Sequence, residues 1–204
     1  MGLVGTGSYD YAVHDRFIPD KFTMETFSTT PVRSEPVYRL GLLGIGVGGH
    51  APVALGLAKR ALEEIVRIVA NKARPGYAMV VGESELFRRE FSKYEALYQA
   101  TRLYVYAAHE DAEASARAGV EITEDQRARL RQVITWSQEV AGEIVAFAHH
   151  WAGSQSIRNP SALGRCVRDA AHAGRSDHPR RRRHTDHARV RRLKTPVHSQ
   201  RKDP

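Results

Sequence analysis

The stretch Ala54-Leu55-Gly56-Leu57-Ala58-Lys59-Arg60-Ala61-Leu62-Glu63-Glu64-Ile65 decides the fold of this 204-residue chain. Ala54, Ala58, Ala61, Leu62 and Ile65, with Val69 one turn on, recur at three- and four-residue steps, which stacks them along one face of a helix. The helical pattern runs from about 36 to 73. It stops at Arg74-Pro75-Gly76, where proline cannot continue the hydrogen-bond ladder and glycine tolerates a reversed backbone.

Downstream, the same period returns twice. Phe87, Phe91, Tyr94, Tyr98, Thr101, Val105 and Ala108 mark a second helix from about 83 to 118, ending near Gly119. The third starts at Thr123, whose hydroxyl caps the backbone while Gln126 reaches back, a capping box. It carries Leu130, Val133, Ile134, Ala141, Ile144, Val145 and Ala148 and ends near Gly153. Asn159-Pro160 reads as a cap followed by proline in the first turn, opening a short fourth helix from Ser161 to about Ala173. Long helices joined by short loops make an all-α, up-and-down four-helix bundle over residues 35–174.

Upstream, residues 1–34 read differently. Gly5-Thr6-Gly7-Ser8 punctuates, and Tyr9, Tyr11 and Val13 then alternate with polar or small residues as in a β-strand that ends at Pro19-Asp20. One strand cannot stand alone, and no second strand pattern follows, so its partner strands are expected to be absent from the chain.

The charge is confined to the other end. Residues 175–204 hold eleven of the 31 basic residues and three of the 23 acidic ones, so residues 1–174 balance at twenty of each. Arg180-Arg181-Arg182-Arg183 lies in a stretch without periodicity, read as a disordered basic tail. It credits the protein with weak, non-specific attraction to nucleic acid and no specific reader. Such a run also arises when a gene rich in G and C is read out of frame.

With one cysteine, Cys166, no internal disulfide forms, and a reducing compartment fits. Met1-Gly2-Leu3-Val4-Gly5 has no charged segment followed by an apolar core, and no apolar run is long enough to span a bilayer. The expectation is a cytoplasmic protein. Gly44-Ile45-Gly46-Val47-Gly48-Gly49 lacks the strand before it that a dinucleotide loop needs, so its glycines are read as allowing a close helix approach. His149-His150 point about 100° apart on a helix, and no metal site is expected. Cys166 is read as a buried structural thiol.

Three segments carry a family resemblance. Gly5-Thr6-Gly7-Ser8-Tyr9-Asp10 with Phe17-Ile18-Pro19 resembles the end of the β-domain of the acyl-CoA dehydrogenase superfamily. Ala54 to Leu62 is similar to the start of that family's first C-terminal helix, and Asn159-Pro160-Ser161 through Arg165-Cys166-Val167-Arg168-Asp169 resembles its closing helix. The nearest branch is that of the two-component flavin-dependent monooxygenases of hydroxylase and desulfurisation type.

The resemblance implies a helical domain and a β-domain upstream, with FAD or FMN between the β-domain and the bundle. It also implies a homotetramer in which neighbouring bundles complete each flavin site, a separate flavin reductase and a small-molecule substrate. On this reading the chain is a fragment truncated at its N-terminus and inactive alone. Acyl-CoA dehydrogenases place a glutamate base soon after the Arg-Asp pair; here Asp169 is followed by Ala170-Ala171-His172-Ala173-Gly174. The resemblance makes His172 the acceptor of a substrate hydroxyl proton, Arg74 a partner of the flavin pyrophosphate of a neighbouring subunit, and Gly153-Ser154 a turn beside the adenine end. Each also has a plainer reading, as a surface histidine, a helix-end arginine and an ordinary turn. Two other functions stay open: a non-catalytic helical oligomerisation module, and a weak nucleic-acid binder acting through the tail.

Overall fold

The computed structural model describes residues 10, 12–23, 30–76 and 78–173. Four α-helices dominate: α1 (Gly41–Ala70), α2 (Glu85–Arg117), α3 (Glu124–Ala152) and α4 (Ala162–Ala173). α3 is the hub. It packs on α1, α2 and α4, most extensively on α1, whereas α1 and α2 touch each other less than either touches α3.

The alanine-rich face of α1 explains that pairing. Ala54, Ala58 and Ala61 leave room for close approach, and Leu62, Ile65 and Val69 fill the space that remains; all six are buried. Two core regions result. One joins α1 to Phe87, Val140, Ile144, Phe147, Ala148 and Trp151, and to Leu163 and Cys166 of α4. The other gathers Leu40, Ala51, Val105, Ala108, Ala112, Leu130 and Val133. Thr101 and Trp136 tie α2 to α3: the indole Nε1 donates to the buried Thr101 hydroxyl at 3.1 Å, which satisfies a polar group inside the bundle.

The helix ends follow local chemistry. Gln126 N donates to Thr123 Oγ1 at 3.2 Å and Thr123 N donates to Gln126 Oε1 at 2.9 Å, the expected capping box. The Gln126 amide also donates to Asp111 O and Ser115 Oγ of α2, so the cap fastens two helices together. Gly76 and Gly119 take positive φ after α1 and α2, as chain reversal there requires.

Some expectations shift. α1 begins at Gly41 after a 3-10 turn, Pro36–Leu40, and ends at Ala70, because Ala73 leaves the helix to form an antiparallel bridge with Val80. The fourth helix is capped by Ser161, whose hydroxyl accepts from Gly164 N at 3.0 Å, so Asn159 is not the cap and Pro160 stands outside the helix after a cis bond. Gly164 itself is required: a Cβ there would run into the carbonyl of Ser156.

The glycine cluster is corrected as well. A Cβ on Gly44 would collide with Leu40, but at Gly46, Gly48 and Gly49 it would meet nothing within 4 Å. Those three are not pressed against a neighbour within this chain: Gly48 and Gly49 are exposed and Gly46 is half-buried. No strand occurs among the described residues; residues 12–14 are in no regular element, while Tyr9 and Tyr11, and the tail 175–204, lie outside the described residues. No helix is long and apolar enough to cross a membrane, and no group of three metal-ligating side chains occurs, among the described residues.

Candidate functional site

The end of the bundle where α1 and α3 finish and α2 begins concentrates polar chemistry around Trp151. Trp151 is buried in the last turn of α3, and its Nε1 donates to Glu90 Oε2 of α2 at 2.8 Å. Phe87 meets the indole edge-on at 5.2 Å. The ring is thereby fixed from two sides.

Onto it lies the Arg74 guanidinium, 5.1 Å from the indole ring, a cation–π contact. Two residues earlier, Lys72 Nζ donates to the carbonyls of Trp151 at 2.6 Å and Ala152 at 2.7 Å. Those carbonyls carry the negative end of the α3 dipole, which the ammonium offsets. Burial, and the neighbouring charge of Arg74, hold the Lys72 amine below its ordinary range.

Gly153 follows at φ +56°, and a Cβ on it would lie 3.2 Å from Lys72 Nζ. The turn therefore needs glycine both for its backbone and for the lysine's place. Ser154 is exposed in the 3-10 turn Gly153–Ser156, and Ser156 Oγ holds that turn by donating to Gly153 O at 2.7 Å while sharing a 2.6 Å hydrogen bond with His149 Nδ1. His149 is thus occupied by a structural bond.

Arg74, Gly153 and Ser154, chosen from sequence, are brought to this one end. Lys72 joins them, although nothing in the sequence singled it out beyond a basic residue just past a helix C-terminus. Its Nζ leaves one donor direction unused by the two carbonyls, next to a guanidinium and an open turn. The arrangement suits an anion approaching Gly153-Ser154, a place where the bare end of α3 would repel it.

His172 is elsewhere. α4 leaves the Trp151 end and runs back along α1, which puts Cys166 within reach of the charges of Arg60 and Glu64. His172, six residues later, lies about 9 Å further along that axis. The His172 side chain lies outside the described residues. Cys166 is buried, and that burial pushes its thiol up, so it is no poised nucleophile.

Comparison with known proteins adds what geometry leaves open. Residues 48–177 match the family described as acyl-CoA dehydrogenase, C-terminal domain. An indole-3-acetate monooxygenase of Pseudomonas putida is 30% identical over 170 residues, which cover 83% of this chain and 43% of that protein. The chain thus spans less than half the length of this relative. Among solved structures, 3-HSA hydroxylase from Rhodococcus sp. RHA1 superimposes with a TM-score of 0.67 at 20% identity, covering 81% of this chain and 43% of its own. XiaF from Streptomyces sp., in complex with FADH2 and glycerol, gives 0.65 at 18% identity, covering 69% and 36%. At these identities the two structures establish the fold.

Proposed function

Because this chain belongs to the acyl-CoA dehydrogenase family through its C-terminal helical domain, we propose that it forms the bundle part of a flavin-dependent monooxygenase. One observation carries the choice of monooxygenase over dehydrogenase: after the Arg168-Asp169 pair α4 continues Ala170-Ala171-His172-Ala173, with no glutamate in the place where dehydrogenases of the family carry the base that removes a proton from carbon. The curated relative, an indole-3-acetate monooxygenase, supports it, and an aromatic small molecule is the proposed substrate class.

The residues fit a flavin at the Trp151 end. Arg74 offers forked donors to a pyrophosphate, the Cβ-free turn at Gly153-Ser154 gives backbone access, and Lys72 removes the repulsion of the α3 terminus. FAD has a pyrophosphate and FMN a single phosphate, so this role for Arg74 selects FAD, with FMN as the alternative. The flavin, reduced by a separate reductase, supplies the oxygen chemistry. His172 takes the proton of a substrate hydroxyl, since imidazole titrates near neutral pH. The family resemblance carries the proposal of a homotetramer in which neighbouring bundles complete each flavin site, and a bundle that supplies one wall of each site is catalytically silent alone.

A second reading, a non-catalytic assembly module, draws on the exposure of Leu42, Ile45 and Val53 along α1. Solution mass with and without added flavin separates the two. Tetramers that form on adding FAD support the flavin reading; oligomers indifferent to it support the module. Turnover of an aromatic substrate by the purified chain supplied with reduced flavin overturns the claim of silence.

A further inference from the structure

Since α1 and α2 both lean on α3, an open groove of about 760 Å³ runs between them. The α2 edge of that groove carries a charge pattern that inverts about its own midpoint. Glu95 and Arg117 stand eleven residues before and after Tyr106, Gln99 and Glu113 seven, and Arg102 and Glu110 four. At about 100° per residue all of them fall within about 40° of one line along the helix. Each is exposed except the half-buried Glu113. Arg102, Tyr106, Glu110, Glu113 and Arg117 line the groove itself.

Within one chain this stripe is only partly answered. Gln99 Nε2 donates to Glu95 Oε1 at 3.3 Å, and Arg117 pairs with Glu113 at 2.8 Å. Arg102 lies over the Tyr106 ring at 4.9 Å and, like Glu110, forms no ion pair among the described residues. Laid against a copy of itself running the same way, the stripe sets arginine on arginine and glutamate on glutamate. Running the opposite way about a two-fold axis at Tyr106, it sets Arg102 opposite Glu110 twice and Glu95 opposite Arg117 twice, with Gln99 opposite Glu113. No like charges then face each other along it.

The α1 edge of the groove is nearly bare backbone. Gly48, Pro52 and Gly56 follow at four-residue steps, and a Cβ on either glycine would meet nothing within 4 Å. A glycine inside a helix costs about 1 kcal/mol relative to alanine, and no packing within this chain offsets that. A two-fold axis that sets α2 against α2 also brings this edge of α1 against the same edge of the second copy, where missing side chains allow close approach. Ile45, one turn before Gly48, is 48% exposed and Tyr106 is 51% exposed, apolar surface that such a contact covers.

We infer that two copies of this chain pair through this face, α2 antiparallel to α2 and α1 beside α1. Glu95 to Arg117 spans about 33 Å and two helices side by side are about 20 Å across. The face thus offers roughly 650 Å² per copy, close to the about 800 Å² of a standard interface. The pairing needs no flavin: it goes beyond the tetramer proposed above by naming a contact that forms without the cofactor, and its failure leaves the flavin reading where it stands.

The test is sedimentation equilibrium of the full chain, without flavin, across micromolar concentrations. A monomer–dimer equilibrium is expected for the wild type. Arg102→Glu alone and Glu110→Arg alone each set like charges across the axis twice, and each should weaken the dimer about 10-fold or more. The double variant Arg102→Glu/Glu110→Arg restores opposite charges with their polarity exchanged, and should return the dissociation constant to within about 3-fold of the wild type. Both side chains are exposed, and recovery in the double variant excludes a folding defect as the cause. A wild-type chain that stays monomeric overturns the inference. So does a dimer indifferent to the single reversals, or one that each reversal weakens and the two together fail to restore. Added FAD is a separate arm: growth of the dimer to a tetramer, or its absence, bears on the flavin reading alone.

Discussion

The Lys72 ammonium lies 2.6 Å from the carbonyl of Trp151, a residue 79 positions later, and so joins the end of α1 to the end of α3. With the second bond to Ala152 it closes the bundle where the candidate cofactor residues sit. Lys72→Met keeps the aliphatic stem but leaves two helix-end carbonyls unanswered. A loss of about 1–3 kcal/mol is expected for charged hydrogen bonds of this kind, read as a lowered urea midpoint with the tryptophan emission shifted.

Gly153 and Gly49 separate two uses of glycine. At Gly153 a side chain meets a positive φ and the Lys72 ammonium together, so Gly153→Ala costs about 1–3 kcal/mol. At Gly49, in the body of α1 with open space around it, Gly49→Ala stabilises by about 1 kcal/mol. Thermal melts of the two variants move in opposite directions if the turn, and not helix propensity alone, keeps Gly153.

The helices were legible because their cores follow one period: Ala54, Ala58, Ala61, Leu62 and Ile65 are chosen by spacing and are all buried. The Thr123–Gln126 cap was legible because its residues are three apart and bond to each other. Lys72 was not, since its partners lie 79 and 80 residues away and no local pattern announces them. Nor was the difference between Gly44, pressed on Leu40, and Gly48, facing open space, because it depends on where α1 runs relative to its neighbours. Asn159 and Ser161 are both good caps, and only the path of the chain selects Ser161.

Cys166 supplies a pH dependence. Burial raises its folded-state pKa above the unfolded value near 9. A raised value means the folded chain holds its proton longer, so this stabilisation is complete below about pH 9 and is lost as pH climbs through the folded value. Between pH 8 and 10 the native thiol should react with iodoacetamide at least about 10-fold more slowly than the urea-unfolded chain, because only the thiolate attacks. Cys166→Ala should flatten the alkaline fall in the urea midpoint. An equal alkylation rate in the native and unfolded chains would show that the thiol is open to solvent.

Arg74 and His172 are proposed for different steps, and flavin-driven assembly distinguishes them. If Arg74 meets a pyrophosphate, Arg74→Ala removes a charge-assisted contact worth about 1.5–3 kcal/mol, an increase of roughly 10- to 100-fold in the FAD concentration that half-assembles the tetramer. FMN, having no pyrophosphate, should show no such difference between wild type and variant. His172→Ala should leave both curves unchanged, since a proton acceptor for substrate takes no part in holding the cofactor. Sedimentation at graded flavin concentrations reads all three. A uniform loss with both flavins would place Arg74 among the residues that merely support Trp151, whose ring it covers at 5.1 Å.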